Sequence, residues 1–144
     1  MAKNIIFPTD FSDVSNHALP WALEMASKLD ATIHCLYVVE EPQIYSTLDL
    51  GAISVPTTGE LVEGAETRLK EYVTDKFGGA GQSAVAKIVV GHAASEIVNY
   101  ARENDADMII MSTHGYSGVK HMLLGSTTEE VLRHAPCPVL SVGN

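Results

Sequence analysis

Residues 111–126 read MSTHGYSGVKHMLLGS. Gly115 and Gly125 stand with nine residues between them, and Gly118 falls in the middle. The run follows the apolar stretch DMII and precedes TTEEVLRHA, so it joins the end of an expected strand to the start of an expected helix. Backbone N–H groups at a helix start, aided by the helix dipole, attract an anion. Gly125 would let a phosphate approach the backbone, and the hydroxyls of Ser126 and Thr127 add donors. The same Ser-Thr-Thr-Glu-Glu run reads equally well as a capping sequence with no ligand at all.

Asp10, just beyond the first apolar run NIIFP, can accept hydrogen bonds from ribose hydroxyls. It can also cap the helix that follows. Both roles coexist only if Ser12 or Asp13 does the capping. His114 in the glycine segment reads as a turn residue rather than a general base. His34 reads as a core or surface histidine. His17, His92, His121 and His134 have no metal-ligand spacing, and Lys120 reads as solvated. The GK[ST] phosphate loop, a G-x-G-x-x-G after the first strand and a nucleophile elbow are all absent from the sequence. No catalytic site assembles from these residues.

The elements that must position these groups alternate. Strands are expected at 4–8, 31–40, 84–90, 106–112 and 137–142, as apolar or β-branched runs. Helices are expected from Ser12 or Asp13 to about 29, and at 60–77, 93–104 and about 127–134. Pro20 would kink the first of them. Residues 41–59 carry two prolines and two glycines without a clean period, and read as a long loop. Strand–helix alternation with uniformly apolar strands predicts an α/β fold: a parallel five-stranded sheet with helices on both faces. In such sheets ligands sit outside the carboxyl ends of the strands, where strand order reverses. The loops PTDFS, EEPQ and the glycine segment should therefore meet at one edge.

The stretches NIIFPTDFSDVSNHAL, LYVVE, VVGHAASEIVNYARENDADMIIMSTHG and LLGSTTEEVLRHAPCPVLSV together resemble the universal stress protein family. The likeness spans nearly the whole chain and is weakest across 41–59. The family's most specific motif has the form G-x2-G-x9-G-[ST]. Gly115, nine residues and Gly125-Ser126 match its second half, but Ser112 stands where its first glycine should be. Tyr116 stands where many relatives carry a basic residue. The resemblance implies a Rossmann-like sheet of order 3-2-1-4-5 in one domain, 1–144, and an adenine nucleotide, ATP or AMP, with Mg2+ as a companion of the phosphates. It implies that Pro8, Thr9 and Asp10 line the adenosine and that Val38 lies against adenine. Met111, Ser112 and Gly115 would run beside ribose and phosphates, and Gly125, Ser126 and Thr127 would hold phosphate oxygens. It implies a stress-response sensor or regulatory module rather than an enzyme, with slow ATP hydrolysis left open. The rival reading is a nucleotide-free interaction protein of the same fold.

The resemblance also implies a homodimer through strand 138–142, which would lie at a sheet edge with Val139, Leu140 and Val142 on it. A net charge of −9 argues against a nucleic-acid partner or an anionic membrane surface. No segment has the length to span a bilayer, and MAKNIIFPTD does not read as a signal peptide. Cys35 and Cys137 form no CxxC and no metal spacing, and two reduced thiols fit a cytoplasmic location.

Overall fold

The computed structural model describes residues 3–40, 57–78, 83–113 and 125–143. Five strands form one parallel sheet: β1 (Lys3–Pro8), β2 (Ala31–Val39), β3 (Ala84–Val90), β4 (Met108–Ser112) and β5 (Val139–Val142). Their spatial order is β3-β2-β1-β4-β5, as expected from the sequence. The register sets Ile5 beside Ile33 on one side and beside Met108 on the other. The helices are α1 (Leu19–Leu29), α2 (Thr58–Phe77), α3 (Ala93–Glu103) and α4 (Ser126–His134).

The period-2 geometry of a strand divides the apolar runs between two cores. Ile5, Phe7, Ile33, Cys35 and Ile110 face one way and meet Ala22 and Ala26 of α1 and Leu69 and Phe77 of α2. Ile6, Leu36, Ile109 and Met111 face the other way and meet Ile97 and Ala101 of α3 and Val131 of α4. Each fully buried Ile, Leu or Phe is worth about 1.5–3 kcal/mol relative to an exposed one. The run Ile5-Ile6-Phe7, wholly buried on both faces, therefore anchors the sheet.

Two expectations change. The first helix does not run unbroken from residue 12 or 13. A short 3₁₀ turn, Ser15–Ala18, comes first, and α1 starts at Leu19. Pro20 thus sits in the first turn of α1, where its missing N–H would have had no intrahelical partner, and it does not kink the helix interior. The expected loop 41–59 is also shorter at its end. Thr57 caps α2 by accepting the Glu60 amide at 3.1 Å, so Thr58 and Gly59 are already helical. The rest of that loop, 41–56, lies outside the described residues.

Candidate functional site

Strand order reverses between β1 and β4, and a cleft of about 530 Å³ opens there at the carboxyl ends of the strands. Pro8, Thr9, Asp10, Val38, Met111, Ser112, Gly125, Ser126 and Thr127 all line it. The described parts of the three loops named from the sequence, Pro8 to Asp10, Glu40, and Met111 and Ser112 with Gly125 and Ser126, line this one cleft. Gly115 lies outside the described residues, as do Tyr116, Gly118, His114, Lys120 and His121.

The Asp10 side of the cleft is built from short-range hydrogen bonds. The Thr9 amide continues the β1–β2 ladder to the Leu36 carbonyl at 3.0 Å. The Phe11 amide donates to Thr9 Oγ1 at 3.0 Å, and Thr9 Oγ1 lies 3.2 Å from Ser15 Oγ. Ser15 Oγ spends its only proton on the Ser12 carbonyl at 2.9 Å, so Thr9 must donate to Ser15. Neither the 3₁₀ turn nor α1 has a side-chain cap, and Ser12 instead braces the turn that leads into them: its Oγ accepts the Ser15 amide at 3.1 Å, and its carbonyl accepts the Asn16 amide at 3.2 Å. Asp10 Oδ1 in turn accepts from both the amide (3.0 Å) and the hydroxyl of Ser12. Asp10 therefore braces the turn while its exposed carboxylate lines the cleft. Phe11 completes the turn at φ 68°, a left-handed conformation uncommon for an aromatic residue.

The opposite wall is α4. Its N-cap is Gly125, with φ −68° and ψ 152° and no side-chain cap. Glycine is therefore not demanded there by backbone angles. The Ser-Thr-Thr capping expected from the sequence does not form. Thr128, 2% exposed, instead donates Oγ1 to the Ser112 carbonyl at 2.9 Å and ties the helix to the end of β4. Ser112 ends β4 with no left-handed φ, so the backbone at this position does not require the family's glycine.

Sequence reasoning missed several lining groups: Ser15, Leu36, Tyr37, Glu40, Ala93, Ile97 and Thr128. Glu40 was within reach of it, as the first residue after β2. Its Oε1 accepts the Ala93 amide at 3.2 Å, so a carboxylate already occupies the N-terminus of α3. His92, beside it, lies 4.0 Å from Glu40 Oε1 and 3.2 Å from Glu130 Oε2 of α4. Two helix starts thus face one cleft. The one at α3 is filled by Glu40, and the one at α4 has no side-chain cap. Among the described lining residues the ionisable groups are Asp10, Glu40 and Tyr37. The first turn of α4, with Gly125, Ser126 and Thr127, lines the cleft as well. Between the walls Leu36, Val38, Ile97 and Met111 provide an apolar slot.

His34 sits in a side-chain hydrogen-bond network. Half-buried, it bonds Tyr100 through Nδ1 at 2.8 Å and Asn4 Oδ1 through Nε2 at 3.1 Å. Asn4 Oδ1 can only accept, so Nε2 carries the proton and Nδ1 receives the Tyr100 hydroxyl. Burial, then the Lys87 charge, lowers the His34 pKa. Both cysteines are free, and burial pushes the Cys35 thiol up to about 12. No helix among the described residues is long and apolar enough to cross a membrane.

An open parallel sheet of this order, with a polar-mouthed crevice at its switch point, defines a Rossmann-like α/β protein. The chain belongs to the universal stress protein family, whose family model matches residues 1–143. It is 33% identical to Universal stress protein MJ0531 of Methanocaldococcus jannaschii, over 97% of this chain and 81% of that one. It is 32% identical to Universal stress protein MJ0577 of the same organism, over 99% and 95%. The solved structure of MJ0577 superposes with a TM-score of 0.81, covering 100% of this chain and 97% of that one. Two more distant structures share the fold at TM-scores of 0.69. A universal stress protein in complex with cAMP is 22% identical, over 99% of this chain and 97% of that one. One from Archaeoglobus fulgidus in complex with dAMP is 19% identical, over 99% and 98%.

Proposed function

We propose that the cleft binds an adenine nucleotide, ATP or AMP, and that the protein acts as a stress-response sensor or regulatory module in the cytoplasm. The observation that supports this most is that one crevice brings together an apolar slot, the Asp10 carboxylate and a helix start without a side-chain cap. These three kinds of group match the base, ribose and phosphates of a nucleotide. The base lies in the slot against Val38, beside Pro8 and Thr9. The ribose hydroxyls donate to Asp10, with Met111 and Ser112 alongside. The phosphates meet Gly125, Ser126, Thr127 and Gly115. The cleft volume of about 530 Å³ lies in the ordinary range for small-molecule sites. The cAMP and dAMP carried by two proteins of the same fold are ligands of this class.

The donor set also suits Mg2+, which is held through one or two carboxylates together with substrate phosphates. Asp10 is the carboxylate that would serve, and the ion would offset phosphate charge. No residue is assigned a catalytic role.

The protein also forms a homodimer in this reading. Among the described residues β5 pairs only with β4 in the sheet, and Val139, Leu140 and Val142 are half-buried there. A two-fold mate can add its own β5 antiparallel to that edge and close the assembly. The dimer is equally compatible with the rival, nucleotide-free reading, which Ser112 at the glycine position favours.

Mass spectrometry of small molecules released from denatured, freshly purified protein, paired with calorimetry, tests the assignment. ATP or AMP should bind wild type, and Gly125→Val should abolish binding with the fold intact, since valine tolerates the φ and ψ observed there. Equal affinity in Gly125→Val would remove the phosphate from α4.

A further inference from the structure

We propose that Arg68 of α2 is a positioning residue for the cleft, holding Asp10 in its ribose-facing geometry through the ring of Phe11. The proposal rests on the nucleotide reading above. Phe11 follows Asp10 directly, and its left-handed φ of 68° is unfavourable for an aromatic residue, so other contacts must hold it there. Three side chains grip its ring. Tyr37 stacks on it with centroids 4.8 Å apart and planes 28° apart. Tyr72 meets it edge-on at 5.7 Å and 68°. The Arg68 guanidinium carbon stands 4.3 Å from the ring centroid, within cation–π range.

Arg68 and Tyr72 lie one turn apart on the same face of α2. Tyr72 also donates its hydroxyl to Asn16 Oδ1. A single turn of α2 thus holds the segment that follows Asp10, at Phe11 and again at Asn16. The consequence is local and geometric. The Ser12 amide points at Asp10 Oδ1 only while Phe11 keeps its left-handed angles. A Phe11 released to ordinary angles would swing that amide away and free the carboxylate to rotate. Arg68 does this without lining the cleft itself.

Arg68 is exposed, so its replacement does not endanger the fold. The test is calorimetric titration of AMP into wild type, Arg68→Met, Arg68→Lys, Asp10→Asn and the double variant Asp10→Asn/Arg68→Met. Arg68→Met keeps the aliphatic stem and removes the cation; it should weaken AMP about two- to fivefold, the value of an exposed cation–π contact. Arg68→Lys restores a cation and should recover part of the loss. In the Asp10→Asn background, Arg68→Met should cause no further loss, a coupling that a merely structural residue would not show. Wild-type affinity in Arg68→Met, or losses that simply add in the double variant, would overturn the proposal while leaving the nucleotide reading standing. A wild-type protein that binds no AMP would overturn both.

Discussion

Gly91 joins β3 to α3, and replacing it by alanine should lower stability for a reason that can be separated into two parts. Its φ is 151°, a region essentially reserved for glycine, and its amide donates to the Val39 carbonyl at 2.9 Å. A Cβ built there would lie 2.7 Å from Glu96 Oε1, 2.8 Å from Cγ and 3.0 Å from Cδ. The backbone part should cost about 1–3 kcal/mol. For a chain of 144 residues that is a fall in Tm of about 3 °C per kcal/mol, hence about 3–9 °C in all. The steric part is smaller because the Glu96 side chain can leave by changing rotamer. Differential scanning calorimetry of Gly91→Ala, Glu96→Ala and the double variant separates the two. The double variant should recover less than about a third of the loss, since removing Glu96 leaves the backbone angle untouched. A Gly91→Ala protein melting within 1 °C of wild type would refute the backbone argument. Full recovery in the double variant would show that Glu96 contact was the whole cost.

Three other outcomes follow from the same geometry. The folded-state pKa of His34 is lowered, so its contribution is complete above the unfolded value of about 6.5 and is lost as pH falls below it. Wild type should therefore lose more Tm between pH 7 and pH 5 than His34→Gln does; equal losses would take His34 out of the account. Ser112→Gly should leave AMP affinity nearly unchanged or tighten it, because residue 112 already has ordinary strand angles; complete loss of binding would make the Ser112 hydroxyl an essential contact. Cys35, fully buried with its thiol pushed up to about 12, should stay unreactive toward a disulfide reagent at pH 8 until the protein unfolds, and prompt native labelling at Cys35 would contradict that burial.

Most of the sheet could be read from the chain because its strands are short apolar runs separated by amphipathic helices. Their order followed once the likeness to a known family was recognised. The start of α1 was not legible, since apolar spacing continues from the 3₁₀ turn into the helix and hides the break. What places that break is the Thr9–Ser15–Ser12 set of hydrogen bonds, and nothing in residue periodicity encodes it. Asp10 was legible as a strand-end carboxylate, but its local role is to hold Ser12 in the turn rather than to cap a helix, since α1 starts at Leu19 with no side-chain cap. Glu40, His92 and Glu130 were not read as a group, because they come from three elements far apart in sequence. The left-handed Phe11 has no local signature either: its contacts come from β2 and from α2.

The central place of β1 has a consequence for how the chain is made. Its β4 neighbour, through contacts such as Asn4 with Asp107, lies 103 residues further on. At ordinary rates of synthesis that separation is roughly 5–20 s of elongation. During that interval β1 can pair with β2 alone, and the flank of Ile5 and Ile6 that will meet Met108 and Ile109 stays open. The nascent half-sheet β3-β2-β1 therefore presents to the cell an apolar strand margin that the finished protein keeps at its centre. That margin, rather than β5, is where premature association between unfinished chains would begin.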